Sequence, residues 1–92
     1  MVRPAGPRRV VFTKEVQKDS RKLARTGLRD QTEALLEILR TDPRQTTPPF
    51  EELVGDLAGA YSRRINIQHR LVYQILDGER VVKVIRMWTH YE

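Results

Sequence analysis

The sequence contains no cysteine, which excludes disulfide cross-links and thiolate metal sites. It has two histidines, and these alone make a poor metal site. No apolar run reaches the roughly 18 residues that cross a bilayer, and the amino terminus lacks the apolar stretch of a signal peptide. We therefore expect a soluble protein of a reducing, cytoplasmic compartment.

The length of 92 residues allows one compact core and leaves no room for a second domain. Seventeen Lys and Arg against twelve Asp and Glu give a formal charge of +5 and a pI near 10.1. This excess of positive charge favours acidic partners, such as nucleic acid, a ribosomal surface or an acidic protein. Charge alone does not choose among them, and solubility is the plain alternative.

The first residues differ in composition from the rest of the chain. Residues 1–9 combine two prolines, one glycine and three arginines, which indicates a disordered basic lead-in. The apolar run at 10–12 then predicts a first strand. We expect a single domain over 10–92.

Two helices are predicted next. The polar stretch 13–25 suits a helix, with Thr13 as its N-cap. Over 28–41 the apolar residues recur at helical spacing, with charged residues between them. Pro43 disfavours helical geometry just before it, so the second helix should end near Thr41.

The carboxy-terminal half predicts a long connection and three strands. The segment 43–60, with three prolines and two glycines, reads as an irregular loop, and long ordered loops are often functional. Ile, Val, Tyr and Trp then dominate, which predicts strands at 62–67, 70–76 and 80–91.

Asp77-Gly78 between the last two predicted strands is a strong signal for a two-residue type I′ turn. Such a turn pairs Leu76 with Glu79, and Arg70 with Ile85. The fold class is therefore α+β: an N-terminal strand, two helices, then a three-stranded antiparallel meander, forming one antiparallel sheet.

Basic and aromatic residues are concentrated near the carboxy terminus. Basic side chains hold phosphates and aromatic rings stack on bases, so this mixture on a sheet suits single-stranded RNA. The residues concerned are Tyr61, Arg63, Arg64, His69, Arg70, Tyr73, Arg86, Trp88, His90 and Tyr91. Core packing is the alternative role for the aromatic residues, above all for Tyr73 and Trp88.

Three linked motifs resemble a known family. They are Gly59-Ala60-Tyr61-Ser62-Arg63-Arg64-Ile65, His69-Arg70-Leu71-Val72-Tyr73 and the pair His90-Tyr91. Together they look like the G-x-W-S-R-R-I, H-R-L-V-Y and terminal H-Y signature of YoeB and Txe toxins of the RelE superfamily. Tyr61 stands where the family usually has tryptophan.

The resemblance implies a RelE-like, microbial-ribonuclease-like fold and a toxin of a toxin–antitoxin pair. Such a toxin enters the ribosomal A site, cuts mRNA and inhibits translation until an antitoxin holds it inactive. It uses no metal and no organic cofactor. The family's acidic residue lies two positions before a leucine, and the six-residue spacing of Leu53 and Gly59 places it at Glu51. The other implied catalytic residues are Arg70, His90 and Tyr91.

The chemistry gives these residue types their roles. RNA cleavage without a metal uses the neighbouring 2′-hydroxyl as nucleophile, so a base, a cation and an acid are needed. Glu51 suits the base, Arg70 the cation and His90 the acid, although Glu52 competes with Glu51 and Tyr91 with His90. The expected products are a 2′,3′-cyclic phosphate and a 5′-hydroxyl.

Further RNA contacts are expected from nearby residues of the motifs and of the last predicted strand. The set is Arg64, Arg63, His69, Arg86 and Tyr61. Adjacent strand residues point to opposite faces, so only one of Arg63 and Arg64 faces RNA, and we favour Arg64. In the predicted register Arg70 and His90 also lie on opposite faces, so a bulge or a turned-back terminus must bring them together.

Two alternative functions are considered, one for a toxin of the same fold and one for a protein that binds the same RNA or ribosome. One is a toxin that binds DNA gyrase, although such relatives lack the terminal H-Y pair. The other is a ribosome or RNA binder that blocks translation without cutting. Self-association as a homodimer is left open.

Overall fold

The computed structural model describes residues 8–67 and 69–89, with Trp88 and Thr89 described by their backbone alone. The elements are β1 (Arg9–Phe12), α1 (Lys14–Arg25), α2 (Arg29–Thr41), β2 (Phe50–Glu52), β3 (Tyr61–Arg64), β4 (His69–Leu76) and β5 (Val81–Thr89). Short 3-10 turns span Gly55–Leu57 and Asp77–Glu79. None of the helices in these ranges is both long and apolar enough to cross a membrane.

Both predicted helices are present. The Thr13 hydroxyl accepts a hydrogen bond from the Val16 amide at 3.2 Å, so Thr13 is the N-cap of α1, as predicted. Gly27, with a φ of +80°, supplies the left-handed backbone between α1 and α2. The apolar face of α2 is buried, and buried Pro43 follows the helix end.

At the amino terminus the strand begins one residue earlier than predicted. Arg9 already pairs with Val81, and the Arg8 amide donates a hydrogen bond to the Arg40 carbonyl at 2.7 Å. Both residues therefore belong to the folded domain. Residues 1–7, the rest of the predicted lead-in, lie outside the described residues.

The sheet has five strands in the order β1-β5-β4-β3-β2. The meander of β3, β4 and β5 is antiparallel, as predicted, but β1 pairs parallel to β5, so the prediction of a wholly antiparallel sheet was wrong. The predicted irregular loop also contains β2, which pairs antiparallel to β3. Two of the three β2 residues are glutamates, which disfavour strands, so pairing with β3 rather than local propensity determines this strand.

The connection between β4 and β5 is longer than the predicted two-residue turn. Leu76 pairs with Val81, and Arg80 has the left-handed φ of 55°. A further irregularity between Val72 and Tyr73 shifts the register by one residue. Arg70 consequently pairs with Trp88, and the predicted pairing with Ile85 was wrong.

Both helices pack on one side of the sheet, which we call the helix face. Buried residues from the helices and from β4 and β5 form the core there. They include Val16, Leu23, Leu35, Leu36, Leu39, Leu71, Tyr73, Val82, Val84 and Met87. Tyr73 is fully buried, so its alternative role in core packing is confirmed.

Candidate active site

Three adjacent strands bring an acidic and a basic side chain together on the other side of the sheet. Glu51 of β2 lies opposite Ser62 of β3, and Arg64 of β3 lies opposite Arg70 of β4. Since side chains alternate along a strand, these four residues share one side, which we call the site face. The pairing therefore unites residues that are 19 positions apart in sequence.

At the centre of the site, Nη1 of Arg70 donates hydrogen bonds to two other side chains. It donates to Glu51 Oε1 at 3.0 Å and to Ser62 Oγ at 3.2 Å. The Glu51 side chain keeps 63% of its surface exposed, whereas that of Arg70 keeps 22%. Ser62 is 2% exposed, so its bond to Arg70 lies at the buried side of the site. The arginine is thus fixed, while the carboxylate faces solvent.

A cavity of about 180 Å³ adjoins this pair. Its lining comprises Pro48, Pro49, Glu51, Ser62, Arg64 and Arg70. Arginine binds phosphate oxygens with charge-assisted hydrogen bonds. A carboxylate beside two arginines in a small cavity can accept a proton next to a bound phosphate. A larger groove between α1 and α2, about 410 Å³, contains none of the predicted site residues.

The strand register separates the two candidate bases. Glu52 lies opposite Tyr61, so it projects to the side of the sheet away from Arg70. Glu51 is the glutamate that contacts Arg70.

Arg63 is buried, and its side chain binds partners within the protein instead of lying on the site face. It is 1% exposed, on the side of β3 opposite Arg64. Its guanidinium donates to the carbonyls of Pro43 at 2.9 Å, Gln45 at 2.7 Å and Pro48, and Nε donates to the Tyr73 hydroxyl at 2.9 Å. These bonds satisfy a buried cation that would otherwise be costly.

Aromatic residues surround this buried arginine. The Arg63 guanidinium lies 5.0 Å from the centre of the Phe50 ring. Tyr61 packs edge-on against Phe50 and stacks on Tyr73, with ring centres 5.5 Å and 5.9 Å apart. Burial raises the pKa of Tyr73, an effect that neighbouring Arg63 opposes. Tyr61 therefore lies on the helix face and not beside the Glu51–Arg70 pair.

Two further predicted RNA contacts lie apart from the Glu51–Arg70 pair. The His69 amide and Nδ1 contact Asn66 Oδ1 at 2.7 Å and 3.1 Å, in the tight turn before β4. Arg86 Nε lies 3.1 Å from Asp19 Oδ2 of α1. His69 lies on the helix side of β4, next to Arg70, whereas Arg86 lies opposite Val72 and so on the site face. The RNA contacts of both residues stay predictions.

Sequence reasoning missed the contribution of Ser62 and Asp19. Alternation along S-R-R-I places Ser62 on the same side as Arg64, so the motif itself carried that signal. Asp19 lies in the polar stretch 13–25 without a motif to mark it, yet it is 9% exposed and accepts a hydrogen bond from the Met87 amide at 3.0 Å. It binds the edge of β5 beyond the last residue paired with β1.

His90 and Tyr91, the predicted acid candidates, lie outside the described residues. The described strand β5 ends at Thr89, opposite His69. Across residues 8–67 and 69–89, no three His, Cys, Asp or Glu side chains form a group that could hold a metal ion.

Solved structures with similar folds define the class of protein. A YoeB/ParE toxin from Agrobacterium tumefaciens superposes with a TM-score of 0.81 at 29% identity, over 90% of this chain and 99% of that one. The YoeB-YefM complex from Staphylococcus aureus contains a chain with a TM-score of 0.74 at 28% identity, over 89% of this chain and 95% of that one. The chain therefore has the fold of small bacterial toxins.

The sequence comparisons identify the family. A family model described as a YoeB-like toxin of bacterial type II toxin-antitoxin systems matches residues 12–91. The toxin YoeB of Synechocystis sp. is 36% identical over 76 residues, which are 83% of this chain and 79% of that relative. The protein belongs to the YoeB-like toxins of type II toxin–antitoxin systems.

Proposed function

We propose that this toxin is a metal-independent endoribonuclease that cuts mRNA in the ribosomal A site and thereby inhibits translation. The observation that carries the proposal is the Glu51–Arg70 contact at 3.0 Å beside a cavity that Arg64 also lines. Family membership supports the same activity, since the motifs that resemble YoeB and Txe toxins supply these residues.

The proposed reaction is attack of a ribose 2′-hydroxyl on the adjacent phosphorus. Glu51 takes the 2′-proton, the new O–P bond closes a ring, and the bond from phosphorus to the 5′-oxygen breaks. Arg70 and Arg64 stabilise the negative charge that builds up on the phosphate oxygens. The leaving 5′-oxygen receives a proton from His90 or Tyr91, which the resemblance assigns as the acid candidates. The products are a 2′,3′-cyclic phosphate and a 5′-hydroxyl.

The ion pair sets a condition on this mechanism. Arg70 Nη1 already contacts Glu51, so an entering phosphate competes with the carboxylate for the guanidinium. Binding of the phosphate would release the Glu51 carboxylate toward the 2′-hydroxyl. Cleavage then depends on accurate placement of the RNA, which the ribosome provides.

A cognate antitoxin is the proposed protein partner. The similar S. aureus chain is part of a complex described as YoeB-YefM. The charge of +5 favours an acidic partner, and an initially disordered acidic segment can wrap a large surface. We place this pair, like the ribosome, in the bacterial cytoplasm.

Cleavage is tested by adding the purified protein to ribosomes programmed with a defined mRNA and mapping the RNA ends. We expect cuts inside the A-site codon that leave cyclic phosphate ends, because attack by water would leave linear phosphates. Replacing both Glu51 and His90 with glutamine should abolish the cuts. Intact mRNA, or translational arrest that persists undiminished in the double variant, would favour a binder that acts by occupancy.

A further inference from the structure

The cavity beside the Glu51–Arg70 pair has two chemically different walls. Ser62, Arg64 and Arg70 line it with polar and cationic groups, whereas Pro48 and Pro49, which we call the proline wall, line it with apolar rings. Proline has no backbone N–H group and a rigid ring, so this wall offers a stiff apolar surface. A phosphate makes no favourable contact with such an apolar surface. We therefore expect an apolar part of the ligand to pack there.

The proline wall is held in place from the helix face. Arg63 binds the carbonyls of Pro43, Gln45 and Pro48, which fixes the backbone leading into the wall at three points. Arg63 is 1% exposed and also bonded to Tyr73. A surface that is rigid before the ligand arrives loses little entropy on binding, which is what a selective contact requires.

We propose that Pro48 and Pro49 form a nucleobase subsite, which packs against the face of one base of the nucleotides flanking the scissile phosphate. The inference rests on the proposed function, since it takes the ligand to be RNA. Apolar surfaces are used elsewhere to hold bases by their faces. The volume of about 180 Å³ is smaller than the roughly 300–1,000 Å³ of clefts that enclose drug-sized ligands, so one base fits better than a larger element.

The two walls match the two ends of a nucleotide. The arginines of the polar wall suit its phosphate, and the proline wall suits the flat face of its base. Proline has no N–H group that could bind the edge of a base. The contact therefore depends on whether a base is present and only weakly on which base it is. The subsite would therefore position the nucleotide for cleavage and give weak sequence preference by itself.

The test combines a change in the RNA with a change in the wall. Programmed ribosomes carry mRNAs with a single abasic ribonucleotide at each position flanking the cut, which keeps the 2′-hydroxyl and the phosphate. At one position we expect kcat/KM of the unsubstituted toxin to fall about fivefold, the lower end for loss of a base stacking contact. With Pro49→Ala the same abasic mRNA should lower kcat/KM by less than about twofold, because the contact is already lost.

Two further variants control for folding and for position. Pro49→Val keeps a stiff apolar side chain and should keep the full abasic penalty. Val54→Ala alters a residue that is 84% exposed in the same connection and does not line the cavity, so it should also keep the penalty. Thermal unfolding of each variant verifies that the fold is retained.

The outcomes separate this proposal from the proposed function. An equal abasic penalty in the unsubstituted toxin and in Pro49→Ala, with normal cleavage, overturns the subsite and leaves the nuclease intact. Pro49→Ala that weakens antitoxin binding without changing the abasic penalty also overturns it, in favour of a protein occupant. Absence of cleavage with every mRNA contradicts the proposed function itself.

Discussion

The two faces of β3 use the same residue type for opposite purposes. Arg63 points to the helix face and is 1% exposed. It donates hydrogen bonds to three backbone carbonyls and to the Tyr73 hydroxyl. Arg64, the next residue, is exposed on the site face and lines the cavity with Glu51 and Arg70. A buried arginine with satisfied donors holds structure, whereas an exposed one at a cavity is available to a ligand.

The position of the site on one face of the sheet depends on a buried residue of the helix face. Arg63 fixes the segment Pro43 to Pro48, which leads directly into β2. β2 then places Glu51 opposite Ser62, within reach of Arg70. The exposed carboxylate thus has a defined position because a buried cation anchors the preceding loop.

The largest expected effect concerns the two adjacent glutamates of β2. Glu51→Gln removes the proposed base, so the cleavage rate should fall about 10²- to 10⁴-fold. Glu52→Gln is the matched control, because Glu52 lies on the other side of β2 and should leave cleavage unchanged. Rates are measured on programmed ribosomes. Equal losses in both variants would contradict the assignment of the two faces.

The next effect separates Arg63 from Arg64 directly. Arg63→Leu leaves buried carbonyls without their donor and should lower the free energy of unfolding by about 3 kcal/mol. Arg64→Leu should change that free energy by less than about 0.5 kcal/mol, yet lower cleavage about tenfold. Urea unfolding and cleavage assays measure the two quantities. A stability loss in Arg64→Leu as large as that in Arg63→Leu would remove the distinction.

The sequence alone predicted the parts of the fold that depend on local signals. Thr13 and Pro43 mark helix ends by their own chemistry, and the spacing of apolar residues identified the buried face of α2. The alternation of side chains also predicted that only one of Arg63 and Arg64 faces a ligand. These features require no knowledge of distant residues.

Features that depend on pairing between distant segments were missed. β2 forms because β3 is beside it, and the β4–β5 connection departs from a two-residue turn where Asp77 binds Arg8 and Arg44. The contact of Glu51 with Arg70 could be assigned only through the family resemblance, because 19 residues and an intervening strand separate them. The ring packing of Tyr61 on the helix face was missed for the same reason, since its neighbours Phe50 and Tyr73 come from other strands.

A smaller effect compares a largely buried ion pair with the exposed one at the site. Asp19 is 9% exposed and accepts from both Arg86 and the Met87 amide, whereas Glu51 is largely exposed. Asp19→Asn keeps one acceptor oxygen but loses the charge, so it should lower the free energy of unfolding by about 1–3 kcal/mol. Exposed Asp56→Asn is the control, with a change below about 0.5 kcal/mol. Equal stability of the two variants in urea would show that the Asp19 contacts contribute nothing.

The smallest effect tests whether the loop before β2 needs a second anchor besides Arg63. Asp77 accepts a hydrogen bond from Arg44 in that loop and also pairs with Arg8, and these contacts lower the pKa of Asp77. Because the folded pKa is depressed, this stabilisation is present above the ordinary pKa of about 3.8 and is lost as pH falls through the folded value. Asp77→Asn should therefore show a smaller loss of stability than the unsubstituted protein between pH 5 and about pH 2, as measured by urea unfolding. Cleavage at neutral pH should stay unchanged, since Arg63 alone already fixes three carbonyls of the segment; a marked loss of cleavage would mean that the position of Glu51 depends on both anchors.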